Sequence, residues 1–285
     1  LKTPLAQAKA DLIAALTPLY GASEARSITR ILFEDYFNWN LHSVSDNMIF
    51  ENLLRTDFQK ITQRLLNFEP IQYVVGFAYF YGQKFKVNST VLIPRPETEE
   101  LVHWILESFP TQTTRNVLDI GTGSGCIPVI LKQKKAHWNV FAGDVSESAL
   151  ITASRNAYRL NVIIDFQRID ILQPKDWAIF PKMDVIVSNP PYIPMQEKAL
   201  MHDNVLKYEP HLALFVSDEN ALIFYETIAD FALKQLNSNG FLFFECNEHN
   251  ALEVVSVLKT KNFTNIELRQ DMSGKNRMIR AQLNH

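Results

Sequence analysis

Four apolar runs between residues 116 and 190 each close on a polar side chain: Asp119, Asp144, Asp170 and Asn189. The runs cover 117–120, 139–143, 163–169 and 183–188, with helical patterns between them. A fifth run follows at 240–245, and a last pair near 263–269 and 276–282. Alternation of this kind folds as an open, mostly parallel, doubly wound α/β sheet. Such sheets carry their chemistry at the carboxyl ends of the strands. A polar residue at four successive ends is therefore far harder to assign to accident than any one alone.

The first of these ends is Val117-Leu118-Asp119-Ile120-Gly121-Thr122-Gly123-Ser124-Gly125, and the apolar pattern from Ile127 to Leu131 suits a helix. A glycine loop between strand and helix predicts backbone N–H groups facing a ligand. The dinucleotide fingerprint fails, because Cys126 stands at its third glycine position. A phosphate-binding loop ending in Gly-Lys-Ser/Thr is also absent. Asp119, two residues before the first glycine, would repel a pyrophosphate and suits an ammonium, such as the amino-acid end of S-adenosylmethionine. Asp144 lies 23 residues beyond Gly121. A carboxylate at about that offset commonly holds ribose hydroxyls, although Asp144 could instead cap the helix from Ser146. Asp170 could accept a hydrogen bond from an adenine amino group, with Ile171 packed on the ring.

The fourth end is Asn189-Pro190-Pro191-Tyr192. Two prolines stiffen the backbone and donate nothing to a ladder, so the carbonyls of Ser188, Asn189 and Pro190 are expected to be free. Asn189 adds a side-chain acceptor and Tyr192 a flat apolar face. Together they form a rigid clamp for a planar NH2 group, unless the stretch is simply a turn after a strand.

The Asp-Ile-Gly-Thr-Gly-Ser-Gly and Asn-Pro-Pro-Tyr stretches together resemble class I S-adenosylmethionine-dependent methyltransferases acting on an NH2 nitrogen. Glu69-Pro70-Ile71, Tyr73, Gly76, Phe80-Tyr81-Gly82, Leu92 to Glu99, Glu209-Pro210, Ala213-Leu214, Asp271, Gly274 and Arg277 narrow this resemblance to the PrmC/HemK family. It runs from about residue 60 to the last residue. The resemblance implies methylation of the side-chain amide (N5) of the glutamine in the Gly-Gly-Gln motif of class 1 peptide chain release factors. It implies S-adenosyl-L-methionine as cofactor, with S-adenosyl-L-homocysteine as product. Gly121, Thr122, Gly123, Ser124, Gly125, Asp144, Asp170, Ile171 and Asn189 would contact the cofactor, joined by Asp119. Asn189, Pro190, Pro191 and Tyr192 would hold the substrate glutamine and carry the catalysis. Pro94 to Glu97 would wall the site.

Residues 1–75 read as a helical bundle. Leu12, Leu16 and Leu19 suggest one helix, and Ile28, Ile31, Leu32 and Tyr36 a second. Phe50, Leu54, Phe58, Ile61 and Leu65 mark one apolar face of a third. The bundle carries no catalytic constellation and is expected to dock a macromolecular substrate. Residues 76–93 alternate around Gly82 and suggest a β-hairpin linker, and 94–285 form the catalytic domain. Glu245, ending the run from Gly240, could reach the site or serve structure.

The 285 residues carry a formal charge of −3, which argues against broad nucleic-acid binding. An adenine-N6 or guanine-N2 methyltransferase would need a basic face or a target-recognition domain, and neither is evident. A non-catalytic nucleotide-binding module would have no use for the clamp. The two cysteines are too few for a disulfide framework, and no His or Cys spacing suggests a metal. No apolar run reaches membrane-spanning length, and Leu1-Lys2-Thr3-Pro4 does not open like a signal peptide. A cytoplasmic monomer is the expectation.

Overall fold

The computed structural model describes residues 3–39, 49–50 and 52–284. The chain divides into two compact units, Leu1–Phe77 with His202–Tyr208, and Ala78–Met201 with Glu209–His285.

In the first unit β1 (Thr3–Pro4) pairs antiparallel with β2 (Ile49–Phe50) beside α1 (Leu5–Ile31), α2 (Asn52–Leu66) and α3 (Ile71–Val75). The two helices expected before residue 37 appear as α1, which is broken where Gly21 takes φ +79°. Only glycine adopts that conformation at little cost. Leu12, Leu16, Ile28, Leu32, Ile61 and Leu65 close a common core, whereas Leu19 and Tyr36 face outward. The side chains of Phe50 and Leu54 lie outside those described. The Tyr20 hydroxyl donates to the Leu65 carbonyl at 2.7 Å. Arg64 clasps Glu69 through two bonds of 2.7 and 2.6 Å. The 202–208 stretch, expected within the catalytic domain, groups here; the Tyr208 hydroxyl donates to the Asn67 carbonyl at 2.8 Å.

The second unit runs β3 (Phe77–Phe80), β4 (Gln83–Lys86), α4 (Pro96–Ser108), β5 (Asn116–Ile120), α5 (Cys126–Lys134), β6 (Asn139–Asp144), α6 (Glu147–Arg159), β7 (Asp165–Arg168) and β8 (Met183–Ser188). After β9 (Ile193–Pro194) and α7 (Asp203–Tyr208, grouped with the first unit) come β10 (Phe215–Val216), α8 (Ile223–Gln235), β11 (Leu236–Glu245), α9 (Ala251–Thr260), β12 (Thr264–Gln270) and β13 (Asn276–Gln282). Seven strands form one sheet in the order β12-β13-β11-β8-β5-β6-β7. Contacts from β11 through β7 are parallel, and β13 runs antiparallel to both its neighbours. The order reverses between β5 and β8, and that switch point opens a crevice at the strand ends.

Both faces of the sheet are buried, and successive residues alternate between them. Leu118, Ile186, Leu242 and Phe244 pack with Tyr225 and Phe231 on one side. Val117, Val187 and Phe243 pack with Trp104 and Ile130 on the other. The hairpin β3–β4 inserts Phe80 and Phe85 into this second core, so it is built into the unit rather than strung before it.

Two strand boundaries differ from the pattern in the sequence. β7 starts at Asp165 rather than Ile163, because it is the sheet's outer edge and Ile163 lies exposed. β11 starts earlier, at Leu236, and its register shifts before Phe241, where Asn239 takes φ +63°.

Candidate active site

A cavity of about 270 Å³ lies at the switch point, reached by the ends of β5, β6, β7 and β8. Gly121, Gly123, Asp144, Asp170, Ile171, Asn189, Pro190 and Pro191 all line it. A larger groove, about 750 Å³, sits at the other end of the strands beside Asn139 and Asp165. None of those eight residues reaches it, and its Lys132 is committed to the carbonyls of Ala136 and Trp138 at 2.8 and 2.5 Å.

The glycine loop differs from expectation in the direction of its donors. Gly121 and Thr122 donate to the Gly143 carbonyl at 2.8 and 3.0 Å, and Gly125 donates to Thr122. The Gly123 N–H donates to Asp144 Oδ2 at 2.9 Å. These N–H groups therefore fasten the loop to β6 and to itself rather than facing a ligand. What the loop offers is room. Gly121 and Gly123 sit at φ +76° and +54°, and a Cβ on either would meet nothing within 4 Å. Gly125 instead lets α6 approach, since a Cβ there would stand 2.9 Å from that of Ala153.

Beneath the loop Asp119 is 1% exposed, and among the described residues neither carboxylate oxygen has a hydrogen-bond partner of good geometry. The neighbouring Thr122 hydroxyl likewise makes no hydrogen bond of good geometry among the described residues, though it lies close enough to Asp119 to favour its charged form. Burial pushes the Asp119 carboxyl up to about 7; the Thr122 hydroxyl beside it offsets part of that rise, and Asp144 adds to it. Asp119, Thr122 and Ser124 stand behind the cavity wall, not on it. An orphaned buried acid under a cradle free of side chains fits a ligand bearing an ammonium group.

Asp144 is half-buried at the end of β6, and burial raises its pKa. Its oxygens accept the N–H groups of Gly123 and Ser146, each at 2.9 Å. The cap of α6 belongs to Ser146, whose hydroxyl accepts from Ala149. Asp144 therefore binds loop and helix start while also lining the cavity. Asp170 lies two residues past β7, and its Oδ1 accepts the Leu172 N–H at 3.0 Å. Ile171 is buried, and its carbonyl is held by the Trp177 indole at 2.9 Å.

Ser188 is the last ladder residue of β8, opposite Phe244 and Ile120, and its hydroxyl donates to the Ile120 carbonyl at 2.7 Å. No donor among the described residues takes the carbonyls of Asn189 or Pro190. The Asn189 Nδ2 donates to Thr98 Oγ1 at 3.2 Å, and Thr98 donates to Glu245 Oε2 at 2.6 Å. Tyr192 is partly exposed, packs on the core cluster, and is held in its phenol form by burial and by the Glu245 carboxylate. In the sequence Thr98 stood out only as part of the Leu92 to Glu99 stretch, with no role of its own, and Glu245 had no partner there. An acid closing an otherwise apolar strand was the only signal.

The segment after the hairpin walls the cavity through Thr90 to Leu92 rather than Pro94 to Glu97. Arg95 is drawn instead to the buried Glu209 at 2.5 Å, whose other oxygen accepts the Ile93 N–H at 3.2 Å. Pro96 then begins α4.

The chain is similar to known proteins in sequence and in fold. Residues 101–213 match the family described as Methyltransferase small domain. A methyltransferase from Pyrococcus furiosus shares the fold with a TM-score of 0.54 at 16% identity, covering 80% of this chain and 99% of that one. The release factor glutamine methyltransferase of Bacteroides thetaiotaomicron is 36% identical over 268 residues, 93% of this chain and 95% of that protein. That of Flavobacterium psychrophilum is 40% identical over 278 residues, 96% of this chain and 97% of that protein. With identity at this level over nearly the whole of both chains, the protein belongs to the release factor glutamine methyltransferase family.

Proposed function

We propose that the chain transfers a methyl group to the side-chain amide nitrogen of the glutamine in the Gly-Gly-Gln motif of class 1 release factors. The observation that carries this reading is the meeting, in one cavity, of the glycine cradle, Asp144, Asp170 and the Asn189-Pro190-Pro191 acceptors. When bound, S-adenosylmethionine supplies a sulfonium methyl that is transferred as S-adenosylhomocysteine is formed. Asp119 would hold its ammonium, Asp144 its ribose hydroxyls, and Asp170 with Ile171 its adenine.

The amide nitrogen is a poor nucleophile because its lone pair is delocalised. Asn189 cannot act as a base, having no useful pKa. Its Oδ1 and the Pro190 carbonyl are fixed acceptors for the two N–H groups of the glutamine. They orient the nitrogen and strengthen as it pyramidalises, so they act on the transition state more than on the ground state. In-line positioning supplies much of the remaining acceleration. Tyr192 follows the clamp but packs on the core rather than lining the cavity, and it would have to turn toward the flat amide to close over it. The amide proton leaves to water.

A glutamine at a loop tip offers little of the roughly 1,200–2,000 Å² that stable protein recognition buries. Residues 1–75 are proposed to supply docking area for the release factor. Among the described residues no helix is long and apolar enough to cross a membrane.

The test is transfer of labelled methyl from S-adenosylmethionine to a purified release factor, to the same factor with the motif glutamine changed to alanine, and to RNA and DNA. Label confined to the intact factor is the expected result. Equal label on the altered factor, or label on nucleic acid alone, refutes the reading.

A further inference from the structure

We propose that Thr98 and Glu245 select which end of the Asn189 carboxamide faces the cavity, acting as positioning residues for the transfer. The inference rests on the reading of Asn189 as an acceptor for the substrate amide. A carboxamide has two ends of nearly equal size and opposite sense: Oδ1 accepts and Nδ2 donates. Rotated by half a turn, Asn189 would oppose its own N–H groups to those of the glutamine. The clamp would then repel the group it is meant to orient.

A three-member chain fixes the choice. Glu245 ends β11 on the sheet face of Phe243, the face covered by α4, and is 2% exposed. Thr98 lies in the first turn of α4 and is 4% exposed. Its hydroxyl donates to Glu245 Oε2 at 2.6 Å. With that proton committed, Thr98 Oγ1 has only lone pairs to offer its other neighbour. Asn189 answers with Nδ2 at 3.2 Å, and the same carboxamide lies close enough to Glu245 to help hold that acid ionised, so both neighbours ask it for a donor. Oδ1 is thereby turned elsewhere, and it takes no donor among the described residues.

The sense of the chain originates in the ionised carboxylate, the form that prevails above about pH 7, which can only accept. A neutral amide at position 245 could present either end to Thr98, and the hydroxyl proton could then swing toward Asn189. An ion pair does not explain Glu245. Arg277, the cation nearest it in influence, spends its bonds on Asp271 Oδ2 and the Cys246 carbonyl, both at 3.1 Å. A simple staple between α4 and β11 would require Thr98 and Glu245 alone and would leave Asn189 out.

The experiment is steady-state kinetics of the full chain with S-adenosylmethionine and a release factor, with melting temperature and cofactor affinity measured for each variant. Thr98→Val keeps the shape and removes the hydroxyl. It should lower kcat about tenfold, the effect of one positioned hydrogen bond, and leave both KM values within about threefold. Thr98→Ser keeps the hydroxyl and should recover most of that loss. Glu245→Gln should also lower kcat. Combined with Thr98→Val it should cost little more than Thr98→Val alone, because both changes break one chain. Unchanged kcat in Thr98→Val, a loss confined to KM, an equal loss in Thr98→Ser, or additive losses overturn the inference. Should Thr98→Val fail to fold, an unchanged kcat in Glu245→Gln overturns it equally. A wild-type chain that methylates no release factor overturns the underlying reading as well, whereas an active wild type with an indifferent Thr98 overturns this inference alone.

Discussion

Asp119 is the residue whose removal should help the empty protein and harm the liganded one. Its carboxyl is buried with no well-formed hydrogen bond among the described residues, and burial, only partly offset by the Thr122 hydroxyl, pushes it up to about 7 from an ordinary 3.8. At 1.36 kcal/mol per pH unit, that interval is worth about 4 kcal/mol, an upper bound for a site that can relax. The sign follows from proton binding. Between pH 4 and 7 the folded chain holds a proton that the unfolded chain has released, so stability falls as pH rises through this window. Above about pH 7 both forms are ionised and the whole penalty is in place. Glu245, held at about 7 by burial from an ordinary 4.5, adds a slope of the same sign.

Asp119→Asn removes the charge but buries an NH2 group, which costs about 1–3 kcal/mol where it finds no acceptor. The expected net effect at pH 8 is a gain of about 1–3 kcal/mol without ligand. At pH 4.5 the variant should equal the wild type or fall slightly below it. Addition of S-adenosylmethionine should reverse the order at pH 8, because the ammonium then has no carboxylate to meet. Urea unfolding at several pH values, with and without the cofactor, measures all of this. Parallel pH profiles for wild type and Asp119→Asn refute the argument that Asp119 is strained by its burial. A variant with full cofactor affinity refutes its pairing with the ammonium.

Three further outcomes are expected. Asn189→Ala should lower kcat by a factor of about 10² to 10³, the usual cost of one positioned polar group at a transition state, with cofactor affinity within a few-fold. Near-normal turnover would remove the clamp from the mechanism. Asp144→Ala should weaken S-adenosylmethionine binding by about 1.5–3 kcal/mol, the range for hydrogen bonds to a charged group, as read by calorimetry. Unchanged affinity in a folded variant would leave Asp144 the loop-to-helix tie alone. Arg95→Ala should destabilise the chain by about 1–3 kcal/mol by leaving the buried Glu209 with only the Ile93 N–H, and the further change Glu209→Gln should recover part of it. Denaturant midpoints that do not move would show that the contact is incidental.

The sheet and the strand ends were legible because each depends on residues adjacent in the chain. Val117 to Gly125 contains a strand, its polar end and the turn that follows, and alternation along it already assigns the faces. The direction of the loop's donors was not legible, because it is set by the Gly143 carbonyl and the Asp144 carboxylate on the next strand. The wall of the site shifted for a similar reason. Arg95 is drawn to Glu209, 114 residues away, and the cavity takes Thr90 to Leu92 in its place. Glu245 illustrates the limit most clearly. As an acid closing an apolar strand it reads more readily as structural than as functional, since its partner Thr98 is 147 residues distant. Once α4 covers the face of β11 that carries Phe243, the same geometry that buries Glu245 brings it to Thr98, and Thr98 to Asn189. Burial makes the carboxylate costly, and the hydroxyl it accepts converts that cost into a fixed direction for an amide that has no preference of its own.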